Sequence, residues 1–249
     1  MSLSSDELDR YARHLVLREV GGPGQRKLNQ ALVTVVGAGG LGSPALLYLV
    51  AAGVGRLRIV DDDVVGLSNL QRQVLYRTGD VGRPKTDCAG DALAALNPHT
   101  ALDQRRARLT VDNAGALLSD STLVLDGSDG FDTRQAVNAA CVSAGIPLVS
   151  GAIAQWEGQL SLFDPASGTP CYACIFPEPP ARGQVPSCAE AGVMGALAGV
   201  VGAMMAGEAI KHITGAGKTL AGELLIYDNL WGETRKVAVN RRKGCAICG

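Results

Sequence analysis

The sequence Leu32-Val33-Thr34-Val35-Val36-Gly37-Ala38-Gly39-Gly40-Leu41-Gly42 decides the fold of this chain. Its apolar first half predicts a buried strand, and the pattern G-x-G-x-x-G follows directly, ahead of an apolar helical segment. A second strand, 56–60, then ends in Asp61-Asp62-Asp63. In this context the glycines let a phosphate approach the backbone, the helix N-terminus offers free N–H groups, and Asp61 can bind a ribose hydroxyl. The stretch therefore predicts a nucleotide site at the end of the first strand.

Strands and helices alternate through the first 150 residues. We expect helices at 84–96, directly after Thr110 and at 131–144, which separate strands at 101–109, 121–125 and 147–150. This alternation is typical of an α/β fold with a Rossmann-like, doubly wound, mainly parallel sheet. Two helices, 6–17 and 25–30, precede it, and Gly21-Gly22-Pro23-Gly24 is expected to break the chain between them. Ser4 or Ser5 can cap the first helix, whose predicted apolar stripe is Leu8, Ala12, Leu15 and Val16.

In the second half of the chain the predicted alternation of strands and helices gives way to hairpins. Residues 153–163, with a turn at Glu157-Gly158, and residues 223–239, with a turn at 229–232, predict antiparallel hairpins that continue the sheet. A proline-rich loop at 177–186 and a helix at 191–212 lie between them. We expect one domain over 1–249, with N-terminal helices in 1–30, a nucleotide-binding core in 31–150, and strands, loop and metal site in 151–249.

Composition excludes several classes of protein. The formal net charge of −1 over 249 residues gives no basic excess for a nucleic-acid partner. The N-terminal residues lack the basic and apolar regions of a signal peptide. The most apolar stretch, 191–207, is rich in Gly and Ala and shorter than the ~20 residues that span a bilayer. We expect a soluble, cytoplasmic protein with no membrane or nucleic-acid partner.

Four of the seven cysteines form two C-x-x-C pairs, Cys171/Cys174 and Cys245/Cys248. In a reducing cytosol two such pairs predict a tetrahedral zinc site, a structural knuckle that fastens the C-terminus to the middle of the chain. A redox C-x-x-C is the alternative, although it does not explain two copies. Cys88 and Cys141 lie on apolar helix faces and are expected to be buried small hydrophobes.

The polar residues after the second strand indicate the chemistry. Arg72 and Lys85 are placed to reach a triphosphate over the glycine loop, and Asp129, after the fourth strand, is placed to hold Mg²⁺. A hydride-transferring enzyme needs none of these groups, whereas attack on an α-phosphate needs all three. No general base is evident, and a carboxylate nucleophile needs none because it is ionised at neutral pH. The pattern favours adenylation of an acid.

Together these motifs resemble the MoeB/ThiF/HesA family, the ubiquitin-activating-enzyme-like adenylyltransferases, over essentially the whole chain. The resemblance rests on the order and spacing of several segments. They are Gly37 to Gly42, Asp61-Asp62-Asp63, Ser68-Asn69-Leu70-Gln71-Arg72-Gln73, Arg83-Pro84-Lys85, Ser128-Asp129, Cys188-Ala189-Glu190-Ala191-Gly192-Val193-Met194 and the paired C-x-x-C.

The resemblance implies ATP-dependent adenylation of the C-terminal Gly-Gly carboxylate of a ubiquitin-like sulfur carrier, with release of pyrophosphate. It implies Mg²⁺ on Asp129, zinc on the four cysteines, and a homodimer in which Arg13 reaches the neighbouring subunit's phosphates. Cys188 stands where some relatives form a covalent link to the carrier. We expect no rhodanese-like domain after Cys248-Gly249, and hence a separate sulfur donor. The implied nucleotide-binding set is Gly37, Gly39, Gly40, Gly42, Asp61, Ser68, Asn69, Leu70, Gln71, Arg72, Lys85, Asp129 and Gly130, and the catalytic set is Arg13, Arg72, Lys85 and Asp129.

Two departures from the family pattern leave alternatives open. Gly130 replaces the usual Asn after the metal-binding Asp, and His14 replaces a common Gln. Gly130 motivates a non-catalytic module that binds a carrier without activating it, and the glycine loop with Asp61 alone would also suit an NAD(P)-dependent oxidoreductase. For the carrier, the small subunit of molybdopterin synthase ranks first and the thiamin-thiazole carrier second.

Overall fold

One eight-stranded sheet runs through the chain, whose computed structural model describes residues 3–179 and 192–249. The strand order is β3-β2-β1-β4-β5-β6-β7-β8. The strands are β1 Leu32–Val36, β2 Arg56–Val60, β3 Ala101–Arg105, β4 Leu123–Asp126, β5 Leu148–Ala154, β6 Glu157–Phe163, β7 Glu223–Asp228 and β8 Glu233–Ala238.

The first five strands are parallel and the last four form an antiparallel half. β5 belongs to both halves, since it pairs in parallel with β4 and antiparallel with β6. Val36, at the end of β1, is paired with Val60 on one side and with Asp126 on the other. The carboxyl ends of β1, β2 and β4 therefore meet at one edge, where ligands bind in sheets of this kind.

Helices cover both faces of the parallel half, which explains why β1 is apolar and buried along its whole length. Leu28, Leu46, Leu93 and Val201 belong to the core on one face, and Leu118 and Val137 belong to the core on the other. The helices of the described residues are α1 Ser5–Arg10, α2 Ala12–Leu15, α3 Gly21–Gln30, α4 Gly42–Ala51, α5 Lys85–Leu96, α6 Ala114–Leu118, α7 Phe131–Ala144, α8 Tyr172–Ile175 and α9 Gly195–Thr214. The predicted α/β fold is confirmed.

The N-terminal helices differ from the prediction. Ser4 caps α1 through a capping box with Glu7, but the helix expected over 6–17 breaks at Tyr11, because this buried side chain turns inward to bond with Asn97. The expected apolar stripe is not buried in the chain, since Leu8 and Val16 are exposed. The run Gly21 to Gly24 is the first turn of α3 and not a break, because Gly24 packs closely against Val20 and Thr214.

Three predicted strands have different bounds. The third strand stops at Arg105 instead of residue 109, and the fourth is Leu123–Asp126. The segments 147–150 and 153–163 are not separate, because β5 continues to Ala154 and turns at Gln155-Trp156. Gly158, expected in the turn, lies inside β6, where a side chain at this position would overlap Val201 of α9.

The apolar helix also has new bounds, Gly195–Thr214 instead of 191–212, and residue 191 lies outside the described chain. With 20 residues it is long and apolar enough to cross a membrane. However, it packs on α3, α4 and the sheet, and a Cβ on Gly202 would overlap the backbone carbonyl of Leu41. This packing identifies it as a core helix of the domain.

Candidate active site

The glycine loop joins β1 to α4 in a turn that has no room for side chains. Gly37 has φ of +85°, and its N–H donates to the carbonyl of Val60 at 2.9 Å. Gly42 begins α4 directly against the Gly37 carbonyl, and a Cβ there would overlap the carbonyl oxygen and lie 2.8 Å from the carbonyl carbon. Glycine is therefore required at both ends of the turn that exposes the N-terminus of α4.

Asp61, at the end of β2, is bonded to this loop. Its Oδ2 accepts from the N–H of Ala38 at 2.8 Å, and its Oδ1 accepts from the N–H of Asp63 at 2.8 Å. Burial raises the pKa of Asp61, and the charge of Lys85 opposes that rise. Each carboxylate oxygen has a second acceptor position, so the predicted ribose contact is compatible with these bonds.

The two predicted phosphate-binding cations lie near the glycine loop, Arg72 against it and Lys85 beside the acids at the end of β2. Lys85, the first residue of α5, is buried, and its Nζ is 2.8 Å from Oδ2 of the exposed Asp63. Arg72 lies along Gly40, where a Cβ would be 3.5 Å from Cδ of Arg72, and its Nη1 donates to the carbonyl of Ser68 at 3.1 Å. Arg72 therefore contacts the loop directly, and Lys85 is linked to it through Asp63 and Asp61.

The segment 66–73 is folded on itself and on α9. Oδ1 of Asn69 accepts from the N–H of Gly66 at 3.1 Å. The start of α9 packs closely on Gln71, since a Cβ on Gly195 would overlap the Gln71 side chain and backbone. Ser68 is exposed, whereas Leu70 packs on the core. Of this segment, Arg72 is the predicted residue that lies against the glycine loop.

Sequence reasoning missed two residues beneath the loop. Gln73 is 3 % exposed, its Nε2 would lie 3.6 Å from a Cβ on Gly39, and its Oε1 has no partner among the described residues. The hydroxyl of Tyr76 donates to the carbonyl of Ala38 at 2.7 Å, and burial raises the pKa of this phenol. Gln73 belongs to the quoted motif, so the motif itself was the available signal.

The end of β4 builds the facing wall. Asp126 is completely buried, and its Oδ1 accepts from the N–H of Ser128 at 3.0 Å and from its hydroxyl at 2.7 Å. Oδ2 has no partner among the described residues, and burial raises the pKa of Asp126 while Arg134 opposes that rise. A Cβ on Gly37 would lie 3.1 Å from the carbonyl oxygen of Gly127, so this turn is packed on the glycine loop. Asp129, in the same turn, is exposed, so its carboxylate is accessible to a metal ion.

Gly130 is the N-cap of α7, with φ of −91° and ψ of 129°. Among the described residues, a Cβ at this position would contact only Thr133, at 3.5 Å, so the backbone here has room for the Cβ of the Asn that the family pattern predicts. Glycine is itself an acceptable N-cap residue. The departure at Gly130 therefore leaves the turn before α7 intact.

The four paired cysteines meet as predicted. Their sulfur atoms all lie within 4.8 Å of one another, with Sγ distances of 3.8 Å for Cys171–Cys174, 3.7 Å for Cys171–Cys245 and 3.5 Å for Cys174–Cys248. A tetrahedron of Zn–S bonds of ~2.3 Å has edges of about 3.8 Å. The cluster therefore fits zinc. Asn138 of α7 ties it to the domain, because its Oδ1 accepts from the N–H of Tyr172 at 2.9 Å.

One predicted residue, Arg13, lies apart from this arrangement. Arg13 is exposed on α2 and, within the described chain, makes no hydrogen bond or ion pair with the glycine loop. Cys188 lies outside the described residues. Cys88 and Cys141 are buried in the apolar core, as predicted, and burial raises the pKa of each thiol.

Comparison with known proteins identifies the family of this chain. A model of the ThiF family matches residues 11–247. The chain belongs to the ThiF family. It is 52 % identical to the sulfur carrier protein adenylyltransferase of Thermus thermophilus, over 100 % of this chain and 93 % of that protein. It is 43 % identical to the molybdopterin-synthase adenylyltransferase of Escherichia coli, over 99 % of this chain and 98 % of that protein.

The fold has solved counterparts. The crystal structure of E. coli MccB with ATP superposes with a TM-score of 0.85 at 22 % identity, over 97 % of this chain and 74 % of that one. As a ThiF family member with adenylyltransferases among its relatives, this chain is an adenylyltransferase that uses ATP. This result replaces the NAD(P)-dependent oxidoreductase hypothesis.

Proposed function

We propose that this enzyme adenylates the C-terminal Gly-Gly carboxylate of a ubiquitin-like sulfur carrier of the molybdopterin synthase small-subunit type. The thiamin-thiazole carrier is the alternative substrate. The observation that carries the proposal is the meeting of two cations, the glycine loop and the Asp126–Asp129 turn at one edge of the sheet. Relatives whose names specify a sulfur carrier or molybdopterin synthase support this choice of substrate.

The cations stabilise negative charge on the triphosphate. Lys85 is held at the loop by Asp63, and a phosphate oxygen can replace that carboxylate. Arg72, with its stem along Gly40, faces the same loop. Positioned cations of this kind stabilise the transition state and the departing pyrophosphate. The loss of either cation is expected to slow adenylation more than it weakens ATP binding.

The turn after β4 has the chemistry of a Mg²⁺ site. Hard cations prefer oxygen ligands, and the Asp129 carboxylate is exposed beside the glycine loop. When bound, Mg²⁺ neutralises phosphate charge and orients the leaving group. Asp129 would hold it, while the buried Asp126 fixes the turn through Ser128.

Arg13 supports a homodimer with shared sites. Nδ2 of Asn97 bonds Tyr11 and the carbonyl of Val50, which joins α1 and α2 to the far end of α4. The ten residues of α4 place that end about 15 Å from the glycine loop. Arg13 is thus remote from its own chain's loop and is available to a partner, beside the exposed Leu8 and Val16.

The antiparallel half of the sheet offers a surface for the carrier. Leu225 and Tyr227 of β7 pack against the core on the α9 side, so the alternate residues Leu224 and Ile226 face the opposite side. That face is continuous with a groove that reaches Arg134. A separate sulfur donor and a cytoplasmic location complete the proposal. For Cys188 the alternatives of a covalent link to the carrier and a bystander thiol both stay open.

Pyrophosphate release from ATP–Mg²⁺, measured with and without a Gly-Gly-tailed carrier of each type, tests this function. We expect release that depends on one carrier, and its loss in Arg72→Ala and Asp129→Ala. Asp132→Ala, which removes a nearby exposed carboxylate from the first turn of α7, is the matched control and should stay within about twofold. ATP binding without release for any carrier would support the non-catalytic module instead.

A further inference from the structure

A groove crosses β5 and β6 on the face of the sheet opposite α9. Small and polar residues form its floor, and aromatic residues form one wall. Ser150, Ala152 and Ser161 lie in the floor, and Phe163, Tyr172 and Phe176 lie in the wall. Ser150 is the sheet partner of Asp126, so one end of the groove adjoins the turn after β4. The groove therefore joins the open sheet face to the active site.

Arg134, in the first half of α7, stands at that end. The partly buried guanidinium donates to the carbonyl of Ser128 and lies beside the hydroxyl of Tyr172. Within the described residues no carboxylate forms an ion pair with it, Asp126 included. A guanidinium has five N–H donors in a fork that matches a carboxylate. Arg134 therefore retains donors for an anion that enters the groove.

The position of Arg134 relative to the nucleotide follows from a short series of contacts. A Cβ on Gly37 would lie 3.2 Å from the Ser128 nitrogen, and the carbonyl of Ser128 accepts from Arg134. Gly37 of the glycine loop thus lies near the backbone nitrogen of Ser128, and Arg134 bonds the carbonyl of the same residue. An acid bound by Arg134 would therefore lie one residue away from the glycine loop, where the proposed function places the phosphates.

We infer that Arg134 binds the C-terminal carboxylate of the polypeptide substrate in this groove. The inference rests on the proposed function and adds the residue that recognises the reacting group. The small floor residues leave room for an extended Gly-Gly tail between the sheet and the aromatic wall. Arg134 holds one carboxylate oxygen while the other forms a bond to the α-phosphorus. The bond between that phosphorus and the bridging oxygen breaks, and pyrophosphate leaves with the electron pair.

The inference is tested by substrate discrimination, which a purely structural arginine does not affect. Binding of the carrier that is adenylated is measured without ATP, once with its free C-terminal carboxylate and once with a C-terminal carboxamide. We expect the wild type to prefer the acid by about tenfold, as charge-assisted hydrogen bonds require. In Arg134→Gln, whose amide can still donate to Ser128, the preference should fall below twofold.

Arg106→Gln is the matched control. It removes the same charge from an exposed position beyond β3, four strands from β5 in the sheet, and should keep the wild-type preference. If Arg134→Gln does not fold, Arg134→Lys is the test, because a point charge replaces the planar fork; its preference should fall at least threefold.

The outcomes separate the two proposals. A tenfold preference retained in Arg134→Gln or Arg134→Lys overturns the role of Arg134 and leaves adenylation intact. A wild type that binds acid and amide equally overturns it as well. A wild type that releases no pyrophosphate with either carrier overturns the proposed function, and the inference about Arg134 with it.

Discussion

The glycine loop makes a quantitative prediction for Gly42→Ala. The new Cβ would overlap the Gly37 carbonyl oxygen, so that carbonyl must retreat by about 1 Å. Its room to move is small. The N–H of Gly37 donates to the Val60 carbonyl, and a Cβ on Gly37 would lie 3.1 Å from the Gly127 carbonyl oxygen of the neighbouring turn.

The expected cost follows from these constraints. Overpacking costs about 1–3 kcal/mol, and the rigid backbone on both sides places Gly42→Ala near the upper end. For a domain of this size, 3 kcal/mol lowers Tm by about 6–12 °C. Under the proposed function this loop positions the phosphates, so a shift of this size is expected to reduce kcat/KM for ATP by about a hundredfold.

Thermal unfolding followed by circular dichroism, together with ATP-dependent pyrophosphate release, measures both effects. Gly40→Ala is the control for stability, because a Cβ there would make ordinary contacts of 3.4 Å to Ala198 and 3.5 Å to Arg72. Its Tm should change by less than about 3 °C. A Gly42→Ala variant that unfolds with the wild type and uses ATP equally well would refute the assignment of this turn.

Three further predictions concern stability. Burial raises the pKa of Asp126, so the Asp126 carboxyl binds its proton more tightly in the folded chain than in the unfolded chain. The stability that this protonation contributes is lost as pH rises from about 4, the unfolded value, through the raised pKa of the folded chain. Asp126→Asn should therefore become more stable than the wild type by about 1 kcal/mol as pH rises, with no gain at lower pH, in Tm measured from pH 4 to 8. Arg58→Met should cost about 2–3 kcal/mol in urea unfolding, because the buried guanidinium pairs with Asp120 at 2.6 Å and Asp103 at 2.7 Å and also bonds the Leu117 carbonyl; an unchanged midpoint would contradict this. Chelation should release one zinc per chain and lower Tm, whereas a chain without zinc, or with an unchanged Tm, would contradict the structural site.

The features that the sequence predicted well are those with local causes. The strand, glycine loop and helix at 32–51 depend on residues that are adjacent in the chain, and the structure reproduces them. The cluster of four cysteines joins distant segments, but each C-x-x-C pair presents two sulfur atoms by its own local geometry. Chemistry then limits the partners, because two pairs of thiols suit one tetrahedral ion.

The features that the sequence did not predict depend on contacts between distant segments. Gly158 looks like a turn residue, yet it lies within β6 because Val201 of α9 occupies the space of a side chain. The first helix breaks at Tyr11, whose buried side chain turns inward to accept a hydrogen bond from Asn97. The sequence around Arg134 does not mark it as different from the solvent-exposed arginines. Its position in the groove distinguishes it, and that position is seen in the structure.

The two strand-end acids show how local chemistry and long-range placement combine. Asp61 and Asp126 each accept a bond from the N–H two residues later, which gives the same turn after β2 and after β4. Each turn then presents an exposed carboxylate, Asp63 toward Lys85 and Asp129 toward solvent. The pairing of β4 with β1 brings the second turn onto the glycine loop. Each buried acid thus fixes a backbone turn. Of the exposed acids that follow, Asp63 can be displaced from Lys85 by a phosphate, and Asp129 can bind a cation. On this basis, substitution of Asp61 or Asp126 is expected to disturb the position of ligands, whereas substitution of Asp63 or Asp129 is expected to change the charge that they meet.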